Sequence, residues 1–155
     1  MAITKIIADS ITSGAIANTP AFEAKMSANQ TISTGTDTKI VFDTEIYDTD
    51  SAYDTSNYKF TPTVAGKYQV GLQVRVTGSA QQNFYLSFFK NGSKVKRIQI
   101  VQANVNTNQS IGIFTGIVEL NGSTDYLEAY INMSGSTNIY GNNDDNYFTA
   151  YKIIE

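Results

Sequence analysis

A chain of 155 residues with 41% hydrophobic side chains can close one hydrophobic core but is short for two. Its net charge of −3 argues against a nucleic-acid partner, which needs a concentrated positive surface. With neither cysteine nor histidine in the sequence, thiol catalysis, disulfides, Cys/His zinc centres and histidine-based triads are ruled out together.

Residues 1–21 read as an arm outside the main domain. Ile3, Ile6, Ile7, Ile11 and Ile16 are scattered among Ala, Ser, Thr and Gly14, with too few large side chains for a core. A flexible terminus, a short helix and an extended segment that orders on a partner all compete here. Five isoleucines are many for a solvated tail, which favours a docking arm. Asp9 interrupts the apolar stretch and Lys5 alone makes a poor leader, so no signal peptide is expected. No run reaches the roughly 20 apolar residues of a membrane helix, so no membrane insertion is expected. The Asn-x-Ser/Thr sequons at Asn29, Asn91, Asn108, Asn121 and Asn132 are expected as by-products of an Asn/Ser/Thr-rich composition.

Residues 22–155 read as strand after strand. Strands are predicted at 22–28, 39–42, 59–60, 68–76, 83–89, 96–102, 110–120, 125–133 and 146–154. The clearest is 68–76, where Tyr68, Val70, Leu72, Val74 and Val76 share one face, and Gln69, Gly71, Gln73 and Arg75 the other. Asn91-Gly92, Asn121-Gly122, Ser134-Gly135-Ser136 and residues 141–146 supply the turns. Short strands at this spacing imply an all-β, two-sheet antiparallel jelly-roll sandwich preceded by the arm.

Two strands break the simple inside/outside rule. In 110–120, Ile111, Ile113 and Ile117 lie on one face while Phe114, Val118 and Leu120 lie on the other. In 146–154, Tyr147, Tyr151 and Ile153 alternate with Phe148, Ala150 and Ile154. Apolar residues on both faces call for cover on both, either from a loop of the same chain or from another subunit.

Two clusters invite a chemical reading. Asp48, Asp50 and Asp54, in an acidic stretch with Asp43 and Glu45, are oxygen donors that suit calcium, although no EF-hand loop is present and turn formation explains them as well. Their accidental pairs are no sign of a glycosidase, and no enzyme activity and no resident cofactor are expected. Tyr140, Asn142, Asn143, Asp144 and Asp145 combine an aromatic ring with amides and carboxylates, a surface suited to sugar rings and hydroxyls, or else a plain polar hairpin tip. The basic cluster Lys90, Lys94, Lys96 and Arg97, split by Asn91-Gly92, reads as a solvated hairpin.

Several fold markers occur in order. Ile40-Val-Phe-Asp43 is followed by Tyr53-Asp54, by Phe60, Pro62, Gly66 and Tyr68 in an F-x-P-x-x-x-G-x-Y element, by Lys90-Asn-Gly92, by Leu120-Asn-Gly122 with Asp125-Tyr-Leu127, and by Phe148 in the last strand. In this order they resemble the C1q/TNF jelly-roll family over roughly residues 22–155. Ala150 stands where that family's last strand has glycine, and Ser123-Thr124 is an insertion before Asp125. The resemblance implies a homotrimer packed about a threefold axis through one sheet, with Ile111, Ile113, Ile117, Tyr147, Tyr151 and Ile153 at the contact. The Ile/Ala/Ser/Gly composition of residues 6–16 is similar to segments preceding globular heads in tailed-bacteriophage structural proteins. Together these likenesses imply a virion surface protein, a capsid decoration or spike docked through its arm to other virion proteins. A receptor-binding fibre tip for host glycan or protein and a calcium-dependent secreted lectin are the alternatives.

Overall fold

The alternation at 68–76 becomes the central strand of the larger of two sheets. The computed structural model describes residues 18–77, 83–101, 109–135, 137–141 and 144–153. Among them are thirteen strands and no helix: β1 (Ala21–Lys25), β2 (Gln30–Ile32), β3 (Thr38–Lys39), β4 (Thr44–Asp48), β5 (Tyr53–Asp54), β6 (Lys59–Phe60), β7 (Gly66–Thr77), β8 (Asn83–Lys90), β9 (Ser93–Val101), β10 (Gln109–Leu120), β11 (Leu127–Met133), β12 (Thr137–Ile139) and β13 (Tyr147–Lys152). They form two antiparallel sheets stacked as a jelly roll. The first, sheet A, has β10 paired along the whole of β7, followed on the other side of β7 by β13, β1 and β4. The short β12 and β2 extend it past the end of β13. The second, sheet B, runs β5-β6-β11-β8-β9, with β3 also on β11.

The core between the sheets is an aromatic cluster. Phe22 stacks on Tyr53 at 4.5 Å and on Phe60 at 4.6 Å, and meets Phe148 edge-on at 5.0 Å. Phe148 also touches Phe42 and Phe88, so residues far apart in sequence share one packed volume. The F-x-P-x-x-x-G-x-Y element earns its spacing here. Phe60 and Tyr68 are buried and meet at 5.5 Å. The Tyr68 hydroxyl donates to the Val64 carbonyl at 2.6 Å, and burial pushes its pKa up to about 12. Gly66 lies at φ +149, where a side chain would be strained and a Cβ would meet Lys152 Cε at 2.8 Å.

Local chemistry sets the hairpin joining β8 to β9. Asn91 and Gly92 both have positive φ, as a two-residue turn matched to strand twist requires. The Asn91 amide donates to Asp125 at 2.7 Å, and its carbonyl oxygen accepts the Tyr126 N–H at 3.0 Å. The next turn is organised by Asn121, whose side-chain oxygen accepts the N–H groups of Ser123, Thr124 and Asp125.

Several expectations shift. The acidic stretch, for which no strand is predicted, contains β4, paired with β1 and bulged opposite Glu23 and Ala24. As a largely exposed edge strand it shows no alternation to read. The segment 39–42 is a ladder only at Thr38–Lys39, while Ile40 and Phe42 are buried in irregular extended chain. β2 and β12 are three-residue pieces that carry no periodic signal. The docking-arm isoleucines Ile3, Ile6, Ile7, Ile11 and Ile16 lie outside the described residues, as does Ile154.

Candidate functional site

Both doubly apolar strands belong to sheet A, and each puts one face in the core. Phe148 and Ala150 of β13, and Val118 and Leu120 of β10, are buried, while Phe114 stacks on Phe88 at 4.8 Å. Phe114 is flanked on that inner face by Gly112 and Gly116. A Cβ on Gly112 would strike Ile100 and lie 2.6 Å from Phe84, and one on Gly116 would lie 2.9 Å from Lys96. The glycines therefore let side chains from β8 and β9 close one flank of the sandwich against β10.

The other face of each strand points away from the core. Ile111, Ile113 and Ile117 are 52%, 56% and 48% exposed, and Tyr151 is 42% exposed. Their spacing on the sheet follows from register. Ile113 pairs with Gln73, which pairs with Tyr147, while Ile117 pairs with Gln69, which pairs with Tyr151. Each row thus runs isoleucine, glutamine, tyrosine. Ile111 stands beside Arg75 in the next row, and the half-buried Ile153 follows β13, its N–H donating to the Lys67 carbonyl at 2.8 Å. The structure therefore gathers Ile111, Ile113, Ile117, Tyr147 and Tyr151 on one outward face, with Ile153 at its margin. Sequence reasoning missed two members. Ile46 and Tyr47 on β4 are exposed, and Ile46 joins Tyr147, Glu23 and Lys25 around a shallow notch. The bulge at β4 hides them, because it interrupts the two-residue period.

At one end of this face, Arg75 forms a polar knot. Its guanidinium pairs with Asp145 at 2.5 Å, bonds the Gln109 side chain and lies 5.2 Å from the Tyr140 ring centre. Beneath it, buried Asn146 accepts the Arg75 N–H at 2.6 Å and donates to the Tyr140 carbonyl at 2.5 Å. This asparagine, overlooked in sequence, ties the end of β12 to β7. Arg75, Gln109, Ser110, Ile111 and Asp145 border an open hollow of about 600 Å³. Of the residues expected to meet a ligand, exposed Tyr140 and Asp145 converge on Arg75. Asp144 instead pairs with Lys25 at 3.0 Å, and Asn142 and Asn143 lie outside the described residues.

The three aspartates suggested for calcium do not converge. Asp48 accepts the N–H groups of Asp50 and Tyr53, Asp50 accepts the Thr49 hydroxyl, and Asp54 accepts the N–H groups of Ser56 and Asn57. The Asn57 side chain and those N–H groups hold the Asp54 carboxyl below its usual range. Asp48 and Asp54 thus each shape a turn, while Asp50 is engaged by the neighbouring hydroxyl. Among the described residues no group of three acidic side chains is placed to hold a metal ion.

No curated protein sequence matches the chain. Solved structures share its fold at low identity. The globular domain of zebrafish complement 1qA superposes with a TM-score of 0.61 at 14% identity, covering 86% of this chain and 97% of that one. The Eiger TNF of S. frugiperda gives a TM-score of 0.62 at 11% identity, covering 86% and 91%. The family model described as the C1q domain matches residues 21–152, nearly the whole of the two-sheet sandwich. The chain therefore belongs to the C1q domain family.

Proposed function

We propose that this protein is a non-enzymatic, homotrimeric C1q-type head displayed on a virion surface as a decoration or spike, with sheet A as the contact between subunits. The observation that carries the trimer is the bare row of isoleucines on β10, facing away from its own core beside Tyr147 and Tyr151. An outward face that leaves three isoleucines and a tyrosine about half exposed on a single chain marks a protein contact. Threefold packing through this sheet is what the C1q resemblance implies, and β10 is an edge strand open to a neighbour. The virion placement draws on the isoleucine-rich residues 1–21, the absence of cysteine and the low charge content.

Sedimentation of the full chain tests the contact. The 17.0 kDa chain is expected at three times that mass, and Ile113→Asp at the mass of one chain with its β-sheet circular dichroism intact. A trimer that survives Ile113→Asp and Tyr151→Asp would refute this interface. Co-sedimentation with purified particles, lost on deleting residues 1–20, tests the docking.

A second reading rests on the Tyr140, Arg75 and Asp145 end of the face, where an exposed ring stands beside a polar hollow. There the head would recognise a cell-surface glycan or protein. Host-cell adsorption lost in Tyr140→Ala and unaffected by deleting residues 1–20 would favour it over decoration. A calcium-dependent lectin is equally compatible with the family, and a melting temperature lowered by EDTA is its signature.

A further inference from the structure

Sheet B turns a differently built surface outward. Along β8, Phe84, Leu86 and Phe88 enter the core, so Tyr85, Ser87 and Phe89 face away from it. Register places Asn132, Tyr85 and Gln99 in one row, Tyr130, Ser87 and Arg97 in the next, and Glu128, Phe89 and Lys94 in the third. The result is a grid of amides and aromatic rings with charges at its margins.

Most charges on this grid are already matched. Lys94 pairs with Asp37 at 2.7 Å, and Lys39 reaches buried Glu128 at 2.5 Å. The Lys94 bond, with help from Asn132, holds the Asp37 carboxyl below its usual range. Arg97 is different. Its guanidinium lies flat on Tyr85, 3.5 Å from the ring centre, and makes no hydrogen bond or ion pair among the described residues. Asp37 senses Arg97 only at longer range, its own oxygens being committed to Lys94 and Asn132. Stacking fixes the plane of the fork and leaves its N–H edge without an acceptor. Directly across from Arg97, at the centre of the grid, Ser87 is 1% exposed and its hydroxyl has no hydrogen-bond partner. A buried hydroxyl without a partner costs stability, so its retention needs an explanation.

We propose that the outer face of sheet B is a second binding site, which takes an oxyanion-bearing polysaccharide, with its carboxylate or sulfate group on Arg97. The planar fork bonds two oxyanion oxygens at once. Gln99 and the free oxygen of Asn132 flank Tyr85 to meet sugar hydroxyls. A small movement of Tyr130 or Arg97 on binding opens Ser87 to a ligand hydroxyl. A sheet face with amides on either side of the Arg97–Tyr85 pair suits a sugar chain better than an acidic peptide, which would use the backbone edge of β9 instead. The site lies on the sheet opposite the proposed subunit contact and does not depend on it.

The test is calorimetric titration of the full chain with an oligogalacturonate hexamer, a sulfated glycosaminoglycan octasaccharide, neutral maltohexaose and a poly-glutamate peptide. Binding of either acidic oligosaccharide but not maltohexaose is expected, and the preferred one identifies carboxylate or sulfate as the group held. Arg97→Ala should weaken that binding at least tenfold, and Arg97→Lys by a smaller factor, because charge is kept and the fork is lost. Ser87→Ala should raise the melting temperature of the free chain yet weaken binding, an opposition that a purely structural serine would not show. No binding of either acidic sugar, binding unchanged in Arg97→Ala or Ser87→Ala, or equal affinity for poly-glutamate overturns the proposal. Sedimentation of Arg97→Ala at the wild-type mass keeps this result separate from the subunit contact.

Discussion

The two outward faces of this sandwich treat their large apolar side chains differently. On sheet B, the rings are covered from within the chain: Arg97 lies on Tyr85, Lys94 lies 5.5 Å from the centre of Phe89, and Phe89 and Tyr130 stack at 4.0 Å. The electron-rich face of such a ring attracts the cationic head held over it. On sheet A, the isoleucines of β10 stand beside Gln69 and Gln73, which leave them bare. The difference teaches where each face finds its partner. A surface whose aromatic rings are covered by its own side chains is built to stay in water and meet polar ligands, whereas one that leaves several isoleucines open together is built to be covered by protein.

The substitution with the largest expected effect separates the faces from the core they share. Phe148→Ala removes the ring that joins Phe22, Phe42, Tyr53 and Phe88, and should cost about 3–5 kcal/mol in denaturant unfolding. Both faces should be lost together in one transition, and two separate transitions would show that the sheets are energetically independent. Next comes the contrast between faces. Ile113→Asp should abolish assembly, while Gln99→Asp, at an outward position on sheet B, should leave the sedimenting mass unchanged. If both variants dissociate, the assignment of one face to protein contact fails.

Smaller effects sharpen the comparison. Ser87→Ala removes the hydroxyl that lacks a partner and should stabilise the free chain by on the order of 1 kcal/mol. Acid should act through the carboxylates that the fold holds in their charged form. Lys94 holds the Asp37 carboxyl, and Lys90 with Asn91 holds that of Asp125, below the ordinary value of 3.8. A depressed folded-state pKa contributes stability that is complete above the unfolded value and lost as pH falls through the folded one. The melting temperature should therefore hold steady from neutrality to about pH 4 and fall below it. The sedimenting mass, resting on uncharged isoleucine and tyrosine, should not change until the chain unfolds. Dissociation near pH 4 ahead of unfolding would show that carboxylates take part in the contact.

Much of the architecture was legible because β-structure writes a two-residue period. The parity of Tyr68, Val70 and Leu72 named the core face of β7, and the two-faced pattern of β10 and β13 named the strands that need outside cover. What escaped is local irregularity and short length. The bulge in β4 hid Ile46 and Tyr47, buried Asn146 keeps the parity of Phe148 and Ala150 but is polar and reads as a turn residue, and β2 and β12 are too short to show a pattern. The calcium suggestion for Asp48, Asp50 and Asp54 illustrates another limit. Proximity in sequence put three carboxylates together, but Asp48 and Asp54 turn toward nearby backbone N–H groups and Asp50 toward the Thr49 hydroxyl.

The sequence by itself determined the class of the molecule: strand period, turn residues and ordered fold markers suffice for a jelly roll, and the missing histidine and cysteine remove whole chemistries. Only the tertiary structure decided which apolar side chains are covered. The basic run at 94–97 reads as a solvated hairpin, yet pairing with β8, and the bulge that makes Val95 an extra residue, bring Lys94 onto Phe89 and Arg97 onto Tyr85. Parity along a strand is a local property fixed by the backbone. Cover is a property of register between strands, and one residue of slip would have exchanged the two faces.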